Sequence, residues 1–231
     1  MFYYIYGENL EGIRLDLHVH TKYSHDGTME YAKLVKFAIR RGLQGVAITD
    51  HNTMKGAIKA RKEIKNFLII VGSEIRTNKG EIIGLFLEEE VKSRDLIEVI
   101  DEIKAQDGIV IVPHPFDKIR SSTFTPSEKE TKLIDGIEVF NSRCIFSKYN
   151  LMAFEFAKLY SLPMTAGSDA HFANEIGLAG VIANSNDEEE IRRDILRREV
   201  RIFGKKSFIL NHGSTKVIKL WRKLRKSGLQ S

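Results

Sequence analysis

The residues best suited to do chemistry begin near the N-terminus, in Asp16-Leu17-His18-Val19-His20. Side chains of an extended strand alternate between its faces, so His18 and His20 project together while Leu17 and Val19 project the other way. Two neutral imidazoles on one side of a strand end can grip a divalent cation, and the same pair can equally be hydrogen-bonded core histidines. Further polar residues recur at the ends of later apolar runs: Asp26 in the loop after the first run, then His51, Glu74, His114, Asp169 and His171. Five of the seven histidines fall at such positions, a placement that separate structural roles would reach only by repeated coincidence.

The elements that must carry these residues follow from hydrophobic periodicity. Residues 14–20 alternate as a strand and end in a polar loop over 21–28, after which 29–41 place Leu34, Val35, Ala38 and Ile39 at helical spacing, with Gly42 as a stop. The unit repeats with a buried strand at 45–49 and a helix at 54–65. A strand at 67–71 leads into Gly72-Ser73-Glu74, and a turn at Asn78-Lys79-Gly80 before 81–87 suggests a hairpin. A helix over 93–106, with Leu96, Ile97, Ile100 and Ile103 in phase, precedes a strand at 109–112. Strands at 136–140 and 163–166 flank a helix at about 148–160. Beyond these come short strands at 181–183 and 201–203 around a charged helix at 187–198. A last helix at about 214–227, capped by Ser214, would dock its stripe of Val217, Leu220, Trp221 and Leu224 on the body. Strands alternating with helices imply an α/β domain with a parallel sheet and right-handed crossovers. The ligand-type residues then gather at the C-terminal ends of the strands, where such folds place active sites.

Composition bounds the rest. The 231 residues suit one domain spanning 1–231, with no internal linker. No apolar run of about 18 residues suggests a membrane span, and MFYYIYGENL lacks the basic and apolar regions of a signal peptide, so a cytoplasmic protein without membrane partners is expected. The single cysteine, Cys144, rules out an intrachain disulfide and a cysteine-rich zinc site, leaving any metal to histidine and carboxylate. The net charge of +5 is uneven: nine of the 36 basic residues and none of the 31 acids lie beyond Val200, so residues 1–199 carry −4. That basic end, including Lys223 and Arg225, is either a solvated helix face or an attraction for nucleic acid.

Six motifs occur in order: DLHVHTKYSHDG at 16–27, ITDHN at 48–52, GSE at 72–74, PHPF at 113–116, IEVFNSR at 137–143 and GSDAH at 167–171. In these the sequence resembles the polymerase and histidinol phosphatase (PHP) superfamily of metal-dependent phosphoesterases. The resemblance implies a distorted (β/α)7 TIM-like barrel with two or three metal ions at its C-terminal face. It implies that His18, His20, Asp26, His51, Glu74, His114, Asp169 and His171 are the ligands. Where many relatives carry histidines, this chain has Glu81 and Asn141; Glu81 could ligate instead, and a neutral amide is a weaker ligand. His25, next to Asp26, reads as a loop residue near substrate or a further ligand.

Imidazole and carboxylate suit Zn, Mn or Fe, and a carboxylate such as Glu74 can bridge two cations. Ions about 3.5–4 Å apart would generate a hydroxide, held by the metal ligands, for in-line attack on phosphorus. Arg143 and Arg120 are candidates to hold phosphoryl oxygens through the planar guanidinium fork. Asp16 and Asp50 read as buried acceptors, Asp50 orienting a neighbouring histidine, and His212 as structural. The expected activity is a phosphomonoesterase on a small phosphorylated metabolite or nucleotide. The alternatives are a phosphodiesterase or exonuclease on short nucleic acid, and a catalytically silent metal-containing binding domain.

Overall fold

A computed structural model describes residues 11–208; residues 1–10, His212 and the basic helix expected at 214–227 lie outside the described residues. Within them the order is β1 (Ile13–Val19), α1 (Tyr31–Arg40), β2 (Gly45–Ile48), α2 (Lys55–Glu63), β3 (Leu68–Arg76), β4 (Glu81–Leu85), α3 (Leu96–Lys104) and β5 (Ile109–Val112). There follow β6 (Gly136–Asn141), α4 (Ser147–Leu159), β7 (Met164–Gly167), β8 (Ala179–Ala183), α5 (Glu188–Leu196) and β9 (Arg201–Gly204).

The strands form one sheet in the order β7-β6-β5-β4-β3-β2-β1-β8-β9. Strands β1, β2 and β3 run parallel, as do β5, β6 and β7, while β4 is antiparallel to both its neighbours. The sheet is therefore mixed, and the turn expected at 78–80 makes the hairpin that inserts β4, with Thr77 N–H donating to Gly80 O at 2.7 Å. The ring nearly closes where β7 runs out beside β1: Val19 bridges Ala170 in parallel, His20 N–H donates to Ala170 O at 2.9 Å, and Asp169 N–H donates to His18 O at 2.7 Å. This is a distorted barrel of seven strands, β1 to β7, to which β8 and β9 add antiparallel along the first half of β1.

Two apolar clusters sandwich the strands. Val46 and Ile48 of β2, Ile69 and Val71 of β3 and Val110 and Val112 of β5 pack with Leu34, Val35, Ala38, Ala57 and Ile100 of the helices. The alternate residues Ala47, Ile70, Ile109 and Ile111 join Leu15, Leu17 and Val181 inside the ring, closed off by Ile191 and Ile195 of α5. Ile39 and Ile97, read as part of the apolar faces, are instead exposed. Helices α3 and α5 start on aspartate caps: Asp95 accepts from the amides of Ile97 and Glu98, and Asp187 from those of Glu189 and Glu190.

The simple alternation expected of β1 fails at one point. Asp16 pairs with Val46 but Val19 pairs with Ile48, so β1 carries one extra residue, a β-bulge. Leu17 consequently packs inside the ring while Val19 packs toward the helices, rather than both sharing a face. The bulge lets both Leu17 and His18 point inward, one to the core and the other to the site above it. It also takes Asp16, in register with Val46, off the face of His18.

Candidate metal centre

The ends of six strands bring every one of the eight candidate ligands, and Glu81 with them, into one cluster. Four overlapping sets of donor atoms lie within 4.8 Å of one another: His20, Asp26, His51 and His171; His18, His20 and Glu74; His18, His114 and Asp169; and His51, Glu74 and Glu81. Glu74 lies at the centre. Its Oε2 is 3.4 Å from His18 Nε2, 3.3 Å from His20 Nε2 and 3.1 Å from His51 Nδ1, and its Oε1 is 2.9 Å from His114 Nε2. Asp26 Oδ2 faces His171 Nε2 at 3.1 Å and His51 Nε2 at 3.4 Å, and Asp169 Oδ1 faces His20 Nε2 at 3.3 Å. Glu81 approaches from the hairpin strand, 3.8 Å from His114 Nε2 and 4.0 Å from His51 Nδ1.

The outer nitrogens of the imidazoles decide which nitrogen faces the cluster. His171 Nδ1 lies 2.8 Å from the carbonyl of Asp169, which can only accept, so Nδ1 carries the proton and Nε2 presents its lone pair inward. His18 Nδ1 lies 3.0 Å from Glu138 Oε1, with the same result. His20 Nδ1 is held at 2.9 Å by Ser24 Oγ, which also accepts from His51 N–H. Two inward Nε2 atoms, of His18 and His20, stand 3.1 Å apart beside carboxylate oxygens. Nitrogen lone pairs crowded this closely are the donor arrangement of a cation site, and His114 Nδ1 is buried without a hydrogen-bond partner. The residues therefore fit a divalent metal.

Without a cation the surrounding carboxylates draw protons onto His18 and His20, and a bound metal ion would displace those protons. Burial pushes Glu74 and Asp169 toward the neutral form, but His51 and His18 around Glu74, and Arg120 and His18 around Asp169, hold both carboxylates well below their usual range. Asp26 is also depressed: burial raises it, but its interactions with His171 and His51 together lower it further. Burial likewise works against a charge on His20, yet hydrogen bonds to Asp169 and Glu74 raise its pKa to about 9, and His18 is raised by Glu138, Asp169 and Glu74. His171 goes the other way: burial, joined by the neighbouring His20, lowers it to about 4, so it is a neutral ligand at physiological pH. Burial and the charge of Glu74 raise Glu81.

The remaining candidates are placed differently. Arg120, 23% exposed, reaches in with Nη1 2.7 Å from Asp169 Oδ2, steadied by Asp117 Oδ2 at 3.2 Å. Arg143 is buried instead, its Nη1 3.3 Å from Glu175 Oε2, which also accepts from the amides of His171 and Phe172. Its guanidinium underpins the His171 loop. Asn141 directs its amide nitrogen, not its oxygen, toward Asp169 (3.4 Å) and Glu138 (2.9 Å), so it bridges acceptors and offers no donor atom to a cation there. His25 is 56% exposed, its ring tilted 39° against that of His51 with centroids 4.7 Å apart. Asp16 is the buried acceptor expected, taking hydrogen bonds from Ser168 N–H and Oγ–H and from Gly177 N–H. Asp50 accepts from Thr21 N–H and Oγ–H, both at 2.6 Å, and its side-chain hydrogen bond with Ser24 reaches His20 through the Oγ that holds His20 Nδ1, so it fixes the loop and, through Ser24, a histidine.

Sequence reasoning passed over Glu138, Ser24 and Glu175. Glu138 left one signal: an acid in the middle of the apolar strand Gly136–Asn141.

Residues 16–215 match the PHP domain family. The chain belongs to this family. Two uncharacterized proteins of Methanocaldococcus jannaschii are similar to this PHP domain: MJ0417 is 40% identical over 173 residues, covering 72% of this chain and 69% of its own length. MJ1587 is 40% identical over 144 residues, covering 56% and 82%. Among solved structures, the barrel resembles that of a two-domain protein from Bacteroides vulgatus described as containing a predicted PHP-like metal-dependent phosphoesterase. The TM-score is 0.71 at 20% identity, covering 86% of this chain and 69% of that one. That likeness shows the PHP fold. Among the described residues, no helix is long and apolar enough to cross a membrane.

Proposed function

We propose that this PHP domain is a metal-dependent phosphoesterase that removes phosphate from a small phosphorylated metabolite or nucleotide. The observation that carries the reading is Glu74, one carboxylate in contact with four histidines from three different segments. A purely structural site needs only about four closed ligands, whereas a bridging carboxylate with donors on every side suits two or more ions sharing a substrate. His18, His20, Glu74 and Asp169 would hold one cation, and Asp26, His51 and His171 another. His114, Glu74 and Glu81 are donors for a third. Bound ions of this kind supply Lewis acidity, lowering the pKa of water and offsetting charge on phosphoryl oxygens.

The chain's own residues do the rest. The hydrogen bonds from His18 to Glu138 and from His171 to the Asp169 carbonyl keep nitrogen lone pairs turned inward. Arg120 brings a positive fork to the rim beside Asp169, suited to grip non-bridging oxygens of the phosphoryl group. His25, exposed at the mouth, is the adjacent side chain for the rest of the substrate.

The test is a panel of phosphorylated metabolites, nucleotides and short oligonucleotides, assayed with added Mn, Zn or Fe(II). Metal-dependent phosphate release from monoesters is expected. Cleavage confined to oligonucleotides would replace the monoester reading with the nuclease one, and no turnover on any substrate with metal demonstrably bound would leave a silent binding domain.

A further inference from the structure

Glu138 is 2% exposed and lies in β6, one layer behind the candidate ligands. Its carboxylate makes three contacts, each to a group that shapes the site. Oε1 lies 3.0 Å from His18 Nδ1; Oε2 accepts from His114 N–H at 2.8 Å and from Asn141 Nδ2 at 2.9 Å. His18 and His114 belong to one of the donor sets. They come from different segments, the end of β1 and the end of β5, and have no covalent reason to be in register.

The backbone of His114 makes the second contact informative. It has φ of +32° in Pro113-His114-Pro115, although a residue before proline favours extended conformations with negative φ. A non-glycine residue there is strained and persists only when its surroundings over-determine it. The Glu138 carboxylate, fixed to the His114 amide, is such a determinant. Gly167 shows how closely the parts fit: a Cβ built on it would stand 2.8 Å from Glu138 Oε1 and 2.3 Å from His18 Cβ.

We propose that Glu138 is a positioning residue for the metal centre. It locks His18 with Nδ1 protonated and Nε2 free to coordinate, makes that imidazole a stronger donor, and holds His114 in the backbone conformation that turns its ring to Glu74. This rests on the metal-site reading of the cluster but not on any substrate.

The decisive variant is Glu138→Gln, which keeps shape and removes charge. Its amide can accept from His18 Nδ1–H, but its NH2 then faces two other donors, His114 N–H and Asn141 Nδ2. Affinity for Mn2+ and Zn2+, measured by competition with a chromophoric chelator on the full chain, should fall about 10- to 100-fold. In the zinc-loaded protein, 15N–1H correlation should show the His18 Nδ1–H resonance shifted or lost while that of His171 is unchanged. A folded Glu138→Gln protein with wild-type metal affinity and an unchanged His18 resonance would overturn the proposal. If the variant lacks the native circular dichroism signal, Glu138→Asp carries the same comparison. It keeps the charge but is too short to reach both His18 and His114, so wild-type affinity in it would also overturn the proposal. Weakened metal binding with no phosphoester hydrolysis by the wild type supports Glu138 and removes only the proposed substrate. Failure of the wild type to take up metal removes both.

Discussion

At the scale of single residues, two arginines close in sequence to the ligands are placed differently. Arg120 touches Asp169 from the rim, while Arg143 is buried against Glu175. Replacing Arg120 by Met should lower kcat/KM about 100-fold, as for loss of one charge-stabilising donor, and should lower the urea midpoint of the metal-free chain because buried Asp169 loses its cation; steady-state kinetics and urea melts check both halves. Arg143→Met leaves Glu175 without its buried cation and should cost about 3 kcal/mol of stability, seen as a lower urea midpoint. Comparable turnover per folded molecule in that variant would fit its place beneath the loop. Glu74→Gln removes the charge shared by four histidines. Metal content by elemental analysis and hydrolysis should both fall, by more than about the 100-fold typical of an outer-shell partner. Wild-type metal content in Glu74→Gln would refute its central place.

At the scale of elements, the fit of β7 against β1 positions the first pair of histidines. Gly167 sits where any side chain would meet His18: a Cβ there would be 2.3 Å from His18 Cβ and 2.9 Å from its amide nitrogen. Gly167→Ala should therefore destabilise the fold by about 1–3 kcal/mol, the usual cost of overpacking, and weaken metal binding as well, because the strain falls on a ligand. Denaturant melts with and without metal separate the two effects. The β-bulge in β1 works at the same scale, since it permits an apolar core residue and a ligand to face inward in succession.

At the scale of the whole molecule, the ring holds four carboxylates and five histidines of the cluster at the mouth of an otherwise apolar barrel. Binding to the folded state alone raises stability by mass action, about 2.7 kcal/mol at a hundredfold excess over Kd. Thermal melts should rise with added Mn2+ or Zn2+ and fall back with chelator; melts indifferent to both would contradict the metal centre. The identities and strand-end placement of the ligand candidates were legible in the linear sequence, because apolar periodicity marks strands and helices and the polar residues interrupt it at regular points. So were the barrel class, the 78–80 hairpin turn and the buried state of Asp16. The antiparallel pairing of β4 with β5, and of β8 and β9 onto β1, was not read, since short apolar runs state no pairing direction. The partners of Arg143, Asn141 and Glu138 also lay beyond the sequence. Each is set by which group stands within about 3 Å, a long-range contact that residue type and spacing do not encode. Residue chemistry by itself determined what could bind a cation; only the closure of β7 on β1, with its bulge and its buried carboxylates, decided which nitrogens and oxygens face one another.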